Sequence, residues 1–259
     1  PGASKCAKGS ECFAEFARNR AEAADVIVVN THLYGLDVAS EGKILPEHNL
    51  VVFDEAHTLE GTISDTASVA IGPGRINQFA GTLRRLFIDT DHGTRLANIA
   101  TNLKMALAPK LQERLEHPLP TTISDPLGDL RICVGDVIGD LKQITNEALD
   151  VTQRKLRAQT LANHLAADID IALSGFPGSV AFVEGKNEWP VLSIAPLDVS
   201  GVLGTSLWPS RHAILTSATI PSTLPVVLGM PTEQTEMIAV ESPFDYERNS
   251  MLYCAAHLP

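Results

Sequence analysis

A chain of 259 residues with a net charge of −11 has room for one large domain or two smaller ones, and its bulk charge is wrong for coating nucleic acid. Hydrophobic residues at 44% and charged residues at 20% fit an ordinary globular protein, and no apolar run approaches the roughly 20 residues that a membrane-spanning helix needs. Aromatics at 5% advertise no base-stacking platform, although a local basic groove can still sit on an acidic body.

The chain opens at Pro1 without an initiator Met or a signal-peptide pattern, so it is expected to be an internal piece of a longer cytoplasmic protein. Cys6 and Cys12 stand five residues apart near Gly2, Gly9, Lys5 and Lys8, while Cys133 and Cys254 are distant and single. That is no disulfide framework. The close pair reads as two free thiols or as two thiolates of a metal site, with an iron–sulfur cluster at least as fitting as zinc. Two thiolates cannot hold a cluster, so further ligands would come from outside the chain. Lys5, Lys8, Arg18 and Arg20 outnumber Glu11 and Glu15, which suits a phosphate backbone or a solvated helix face.

Phe13, Phe16, Ala17 and Ala21 recur at helical spacing. Val26, Ile27, Val28 and Val29 read as a buried strand ending in the polar Asn30, Thr31 and His32. Past Gly35, Gly42 and Pro46 comes a second such strand, Leu50-Val51-Val52-Phe53, which runs into Asp54-Glu55-Ala56-His57. Burying both carboxylates would cost several kcal/mol each, so they belong just beyond the strand end, where parallel sheets bind ligands. One can hold Mg²⁺ while the other polarises a water. An acidic first helical turn is the alternative for a bare Asp-Glu pair. The full box after such a strand favours function, since a chance match is on the order of one in a thousand.

Leu59 and Ile63 begin a helical pattern that fades at Gly72-Pro73-Gly74. Three helical stripes follow. The first holds Ile76, Phe79, Leu83, Leu86 and Phe87. The second runs from Leu96 through Ile99, Leu103, Leu107 and Leu111 to Leu115, with a break or kink at Pro109. After a proline-bearing loop over residues 117–126, the third runs from Leu130 to Leu173, with or without a break, and ends at Gly175 and Pro177. Strands return at residues 179–183 and 191–195 around a Glu184-Gly185-Lys186-Asn187 turn. A short helix capped by Asp198 or Ser200 precedes a third buried strand, His212-Ala213-Ile214-Leu215, which ends in Thr216-Ser217-Ala218-Thr219. Its hydroxyls can bond phosphate, carboxylates or His57, or cap a helix before Pro221.

These pieces, in this order, resemble the superfamily 2 helicases of the XPD/DinG group. Asp54-Glu55-Ala56-His57 is similar to their Walker B box, and Thr216-Ser217-Ala218-Thr219 to their motif III. Ser242-Pro243-Phe244-Asp245-Tyr246 favours the bacterial DinG-like branch. The resemblance implies an α/β fold: part of a RecA-like parallel-sheet motor domain interrupted by a mainly helical Arch insertion. It divides the chain into an iron–sulfur segment (1–24), a first motor part (25–72), the Arch (73–178) and a second motor part (179–259). It implies that Asp54 holds Mg²⁺ on ATP, that Glu55 orients the attacking water, and that His57 links the nucleotide to motif III. Thr216, Ser217 and Thr219 would then couple nucleotide state to the DNA groove. Cys6 and Cys12 would be two of the four ligands of a [4Fe–4S] cluster, with Lys5 and Lys8 as phosphate contacts beside it.

The implied activity is ATP-driven 5′–3′ translocation on single-stranded DNA and unwinding of forked or damaged duplexes. The sequence departs from the pattern in three ways. It carries no Gly-x-x-x-x-Gly-Lys loop and no second motor domain, so the isolated chain is expected to be inactive. It also has Asn30-Thr31-His32 where an Asn-His pair is expected. A DEAH-type RNA helicase, a non-catalytic Arch that docks other proteins, and a fusion to a nuclease domain are the alternatives.

Overall fold

In a computed structural model, residues 11–40, 42–84, 86–87, 91–145 and 148–254 are described; Lys5, Cys6 and Lys8 lie outside them. The chain folds as α/β, as expected, around two hydrophobic cores.

The smaller core lies under a parallel pair of strands, β1 (Leu50–Phe53) and β6 (His212–Leu215), paired from Leu50↔His212 to Phe53↔Leu215. The ladder continues past both strands, with the Thr216 N–H donating to the Phe53 carbonyl at 2.8 Å and the Ala56 N–H to the Thr216 carbonyl at 3.0 Å. Because side chains alternate along a strand, Val51, Phe53, Ala213 and Leu215 face one way. They meet helices α2 (Thr31–Ala39), α3 (Leu59–Ala67) and α8 (Ser200–Ser206). Gly35 makes the α2–α3 approach possible, since a Cβ there would lie 2.7 Å from the Thr66 hydroxyl.

Two expectations about strands need correction here. Leu50, Val52 and Ile214 are 53%, 58% and 50% exposed, so this strand pair is buried on one face and not on both. Among the described residues the helices of this core cover only that face. The Val26–Val29 run forms no strand and pairs with none, with Val26 and Val28 exposed and only Val29 packed against the core. The polar residues at its end serve a local purpose: the Asn30 side chain accepts from the Leu33 N–H at 2.7 Å and caps α2. The first helix, α1 (Phe13–Glu22), forms where its spacing predicts, yet none of its residues is buried.

The larger core is helical and carries its own sheet. Antiparallel strands β2 (Val69–Ile71), β5 (Trp189–Pro196), β4 (Ser179–Lys186) and β3 (Arg114–Leu115) lie side by side in that order. Ala181, Val183, Leu192 and Ile194 on the β4–β5 hairpin are buried in the same core as the helices. The hairpin and β2 therefore pack with the helical region, whereas the sequence division gave them to the motor parts. The local reason is alternation: one face of the hairpin, with Ala181, Val183, Leu192 and Ile194, is apolar and needs a partner, and α4 (Pro73–Leu83) and α5 (His92–Leu107) supply it.

Leu96, Ile99, Leu103 and Leu107 form the buried stripe of α5, which gives way at Ala108–Lys110 to a 3₁₀ turn containing Pro109. Helix α6 (Thr121–Gln143) begins inside the stretch that its prolines marked as loop. The Pro120 carbonyl accepts from both Ile123 and Ser124, and Pro126 forgoes only one helical hydrogen bond. Buried Ile123 and Leu127 hold that turn against the core. The third stripe divides into α6 and α7 (Leu149–Ser174), and Gly175, at φ 102°, stops α7. An Arg131–Asp170 ion pair at 2.7 Å and a Lys155 bond to the Ile144 carbonyl at 2.8 Å set the two helices antiparallel.

Candidate nucleotide-binding site

The parallel pair delivers two polar turns to one place. After Phe53 the chain must turn sharply, and Glu55 takes up a left-handed conformation (φ 50°, ψ 46°) to start the 3₁₀ turn Ala56–Thr58. Such a conformation in a non-glycine residue costs on the order of 1 kcal/mol or more and persists where its surroundings hold it. Here the Thr58 hydroxyl bonds the Glu55 carbonyl at 3.0 Å, and Ala56, 1% exposed, is pinned by its bond to Thr216. The side chains on either side of Ala56 are left exposed at the carboxyl end of the sheet. Ligands of open α/β sheets bind at that end.

There the two motifs touch. The Thr216 hydroxyl donates to Asp54 Oδ1 at 3.1 Å, and the Glu55 N–H donates to the same oxygen at 3.0 Å. His57 Nδ1 lies 2.8 Å from Ser217 Oγ and 3.2 Å from Glu55 Oε2. The Ser217 hydroxyl is also 3.4 Å from Glu55 Oε2 and accepts from the Thr219 N–H at 3.3 Å. With that N–H on one lone pair, the single hydroxyl proton goes either to His57 or to Glu55. The side chains of Glu55 and His57 are 62% and 43% exposed, so their pairing adds little stability and acts mainly to orient. Thr219 enters this cluster through its backbone, and Thr216 and Ser217 through their hydroxyls.

Asp54 suits Mg²⁺. That ion is held by one or two carboxylates together with water and phosphate oxygens, not by a protein cage. Among the described residues no three His, Cys, Asp or Glu side chains converge on a metal position. Among the described residues Cys12 belongs to no such group. It is half-buried at the start of α1, while Cys133 is buried in α6 with its thiol pushed up by desolvation, and Cys254 is exposed. Cys6, Lys5 and Lys8 fall outside the described residues. His32 is exposed on α2, and no contact joins it to Asp54 or Glu55 among the described residues.

Beneath the site lies a polar network that sequence reasoning missed. Asp37 is fully buried, and its Oδ1 accepts from the Ile44 and Leu45 N–H groups at 2.8 and 2.9 Å. Its Oδ2 is 3.8 Å from Arg211, which also reaches the Tyr34 hydroxyl at 3.5 Å. Tyr34 bonds His48 Nε2 at 2.9 Å, and His48 Nδ1 faces the Pro46 carbonyl at 2.8 Å. That carbonyl can only accept, so Nδ1 carries the proton and Nε2 accepts from the phenol. Burial pushes the Tyr34 phenol above its ordinary range, and Arg211 works against the rise. The ring of Tyr34 meets Phe53 edge-on at 5.1 Å. A signal was present: Asp37 lies on the same helix stripe as Tyr34 and Val38, where an apolar residue belongs.

One parallel strand pair thus joins Asp54-Glu55-Ala56-His57 to Thr216-Ser217-Ala218-Thr219. No family model matches the chain. It is 27% identical over 276 residues to the ATP-dependent helicase DinG of Mycobacterium tuberculosis (strain ATCC 25618 / H37Rv), covering 100% of this chain and 41% of that protein. It is also 27% identical over 280 residues to the ATP-dependent DNA helicase YoaA of Escherichia coli (strain K12), covering 99% of this chain and 43% of that one. A solved structure described as an XPD helicase matches with a TM-score of 0.47 and 16% identity, over 83% of this chain and 36% of that chain. The resemblance read from the motifs is borne out as a similarity to DinG and YoaA helicases that runs along the whole chain. It spans about two-fifths of the length of the curated relatives it matches.

Proposed function

We propose that this chain is part of an ATP-dependent DNA helicase of the DinG type. The observation that carries the reading is the direct contact of the two motifs, with Asp54, Glu55 and His57 bonded to Thr216 and Ser217 across one strand pair. Phosphoryl transfer needs positioning and charge neutralisation more than covalent help from the protein. Bound Mg²⁺ would supply charge neutralisation on the nucleotide, with Asp54 as its protein ligand. Glu55 orients the attacking water with the oxygen that Ser217 and His57 now engage. Ser217 and His57 therefore feel any change at the nucleotide and pass it along the 216–219 turn.

In the full-length protein the phosphate-gripping lysine and an arginine finger come from outside this chain. The smaller core then belongs to a RecA-like motor domain, and residues 73–178 form the Arch, with the strands at 69–71 and 179–196 packed on it. Translocation runs 5′ to 3′ on single-stranded DNA, with forked or damaged duplexes as substrates, in the cytoplasm. Cys6 and Cys12 are two of four ligands of a [4Fe–4S] cluster, and Lys5 and Lys8 contact phosphates beside it.

The test is a Glu55→Gln substitution in the full-length protein. It should lower ATP turnover stimulated by single-stranded DNA by at least about 10²-fold, as expected for losing a general base, while ATP binding persists. Turnover that survives the change would overturn the role of Glu55. Stimulation by RNA and not by DNA would overturn the choice of substrate.

A further inference from the structure

Thr216 does more than lead into the hydroxyl turn. Its backbone is locked on both sides, with its N–H on the Phe53 carbonyl at 2.8 Å and its carbonyl on the Ala56 N–H at 3.0 Å. Its side chain is β-branched and so holds a narrow range of χ1. The hydroxyl is thus presented at a fixed point, 3.1 Å from Asp54 Oδ1. The Glu55 N–H reaches that same oxygen at 3.0 Å. Among the described residues Oδ2 takes no hydrogen bond. The outer torsion of an aspartate is otherwise broad, so two donors on one oxygen decide where the other oxygen points.

We propose that Thr216 is a positioning residue that fixes the plane of the Asp54 carboxylate and turns Oδ2 toward the divalent cation accompanying the nucleotide. This rests on the nucleotide-binding reading above. Groups that orient a metal ligand in this way commonly change metal affinity or activity by about 10–100-fold when removed. Valine is the discriminating substitution, because it keeps the branched shape and removes only the donor. The Glu55 N–H stays on Oδ1 in that variant, so the low end of the range is expected. Thr216 is also the residue before Ser217. A small shift of this strand end would therefore change the cation grip of Asp54 and the hydrogen bonds of Glu55 together.

The experiment uses the full-length protein carrying Glu55→Gln, so that no turnover intervenes. Binding of a fluorescent N-methylanthraniloyl ATP is titrated against Mg²⁺. Adding Thr216→Val should raise the Mg²⁺ concentration at half-binding by about tenfold and leave metal-free nucleotide binding alone. Thr216→Ser should restore a midpoint close to the parent's, which a purely structural role for the methyl would not allow. If the Val variant fails to fold by circular dichroism, Thr216→Ala against Thr216→Ser carries the same comparison. An unchanged midpoint without the hydroxyl would overturn the role of Thr216 while leaving the nucleotide site standing. Absence of any Mg²⁺-dependent nucleotide binding by the parent would overturn that reading and this proposal with it.

Discussion

Replacing Asp37 tests whether the network below the strands holds the site in place. The carboxylate ties three things together: the Ile44 and Leu45 amides before β1, Arg211 before β6, and helix α2. Asp37→Ala strips the acceptor from two N–H groups and leaves a guanidinium whose side chain is only 13% exposed without its carboxylate. An amide that loses its buried partner costs about 1–3 kcal/mol, and breaking a buried pair from one side costs about 3–5 kcal/mol in all. Asp37→Asn is the informative control. Its amide oxygen can still accept both N–H groups, so only the charge is lost. Hydrogen bonds to a charged group exceed neutral ones by about 1 kcal/mol each, so the two amides alone put this variant about 2 kcal/mol down, before the lost Arg211 pair that it shares with Ala.

Urea unfolding followed by circular dichroism should therefore rank wild type above Asn above Ala. Hydrogen exchange at Ile44 and Leu45 should quicken strongly in the Ala variant and modestly in the Asn variant. Equal destabilisation by Asn and Ala would show that the charge matters and the amide bonds do not. Unchanged exchange at both positions would refute the role given to Asp37 in holding the loop. Since this loop feeds β1 and Arg211 precedes β6, the Ala variant should also lose nucleotide-dependent activity in the full-length protein.

Two further outcomes concern the segment before α1. Full-length protein purified without oxygen should be brown and should lose that absorbance on Cys6→Ser or Cys12→Ser; a colourless, iron-free wild type would remove the cluster from the proposal. Charge reversal at Lys5 and Lys8 should weaken binding of single-stranded DNA and reduce the slope of log affinity against log salt by about 0.7 for each phosphate that is no longer neutralised; an unchanged slope would remove both lysines from the DNA path.

Periodicity made α4, α5, α6 and α7 legible because each carries an apolar stripe, whereas Asp37 interrupts that of α2. Leu96, Ile99, Leu103 and Leu107 are all buried, as their spacing requires. What periodicity could not say is which core a strand joins. The hairpin Ser179–Pro196 and the run Val26–Val29 have equally good β composition. One is paired and packed with the helices, and the other forms no strand. Strand pairing is a long-range choice, made by which apolar face finds a partner, and a local window holds no information about it. The proline-marked loop at 117–126 erred differently. Prolines near a helix start remove few hydrogen bonds, so Thr121 and the residues after it stay helical despite Pro126.

The site was legible for a different reason from the fold. Asp54, Glu55 and His57 are consecutive or nearly so, and Thr216 and Ser217 lie some 160 residues away. Both groups stand just past the ends of short apolar runs. In a parallel sheet, adjacent strands run the same way, so residues just past their ends must meet. The parallel register Phe53↔Leu215 then forces Asp54 against Thr216, and the turn at Glu55 brings His57 to Ser217. The grammar of an apolar run ending in polar groups thus carried three-dimensional information, on the condition that the strands were neighbours and parallel. The buried Asp37 network carried no such grammar. Its members, Tyr34, Asp37, His48 and Arg211, come from a helix, a loop and the start of a strand, and only the folded core brings them together.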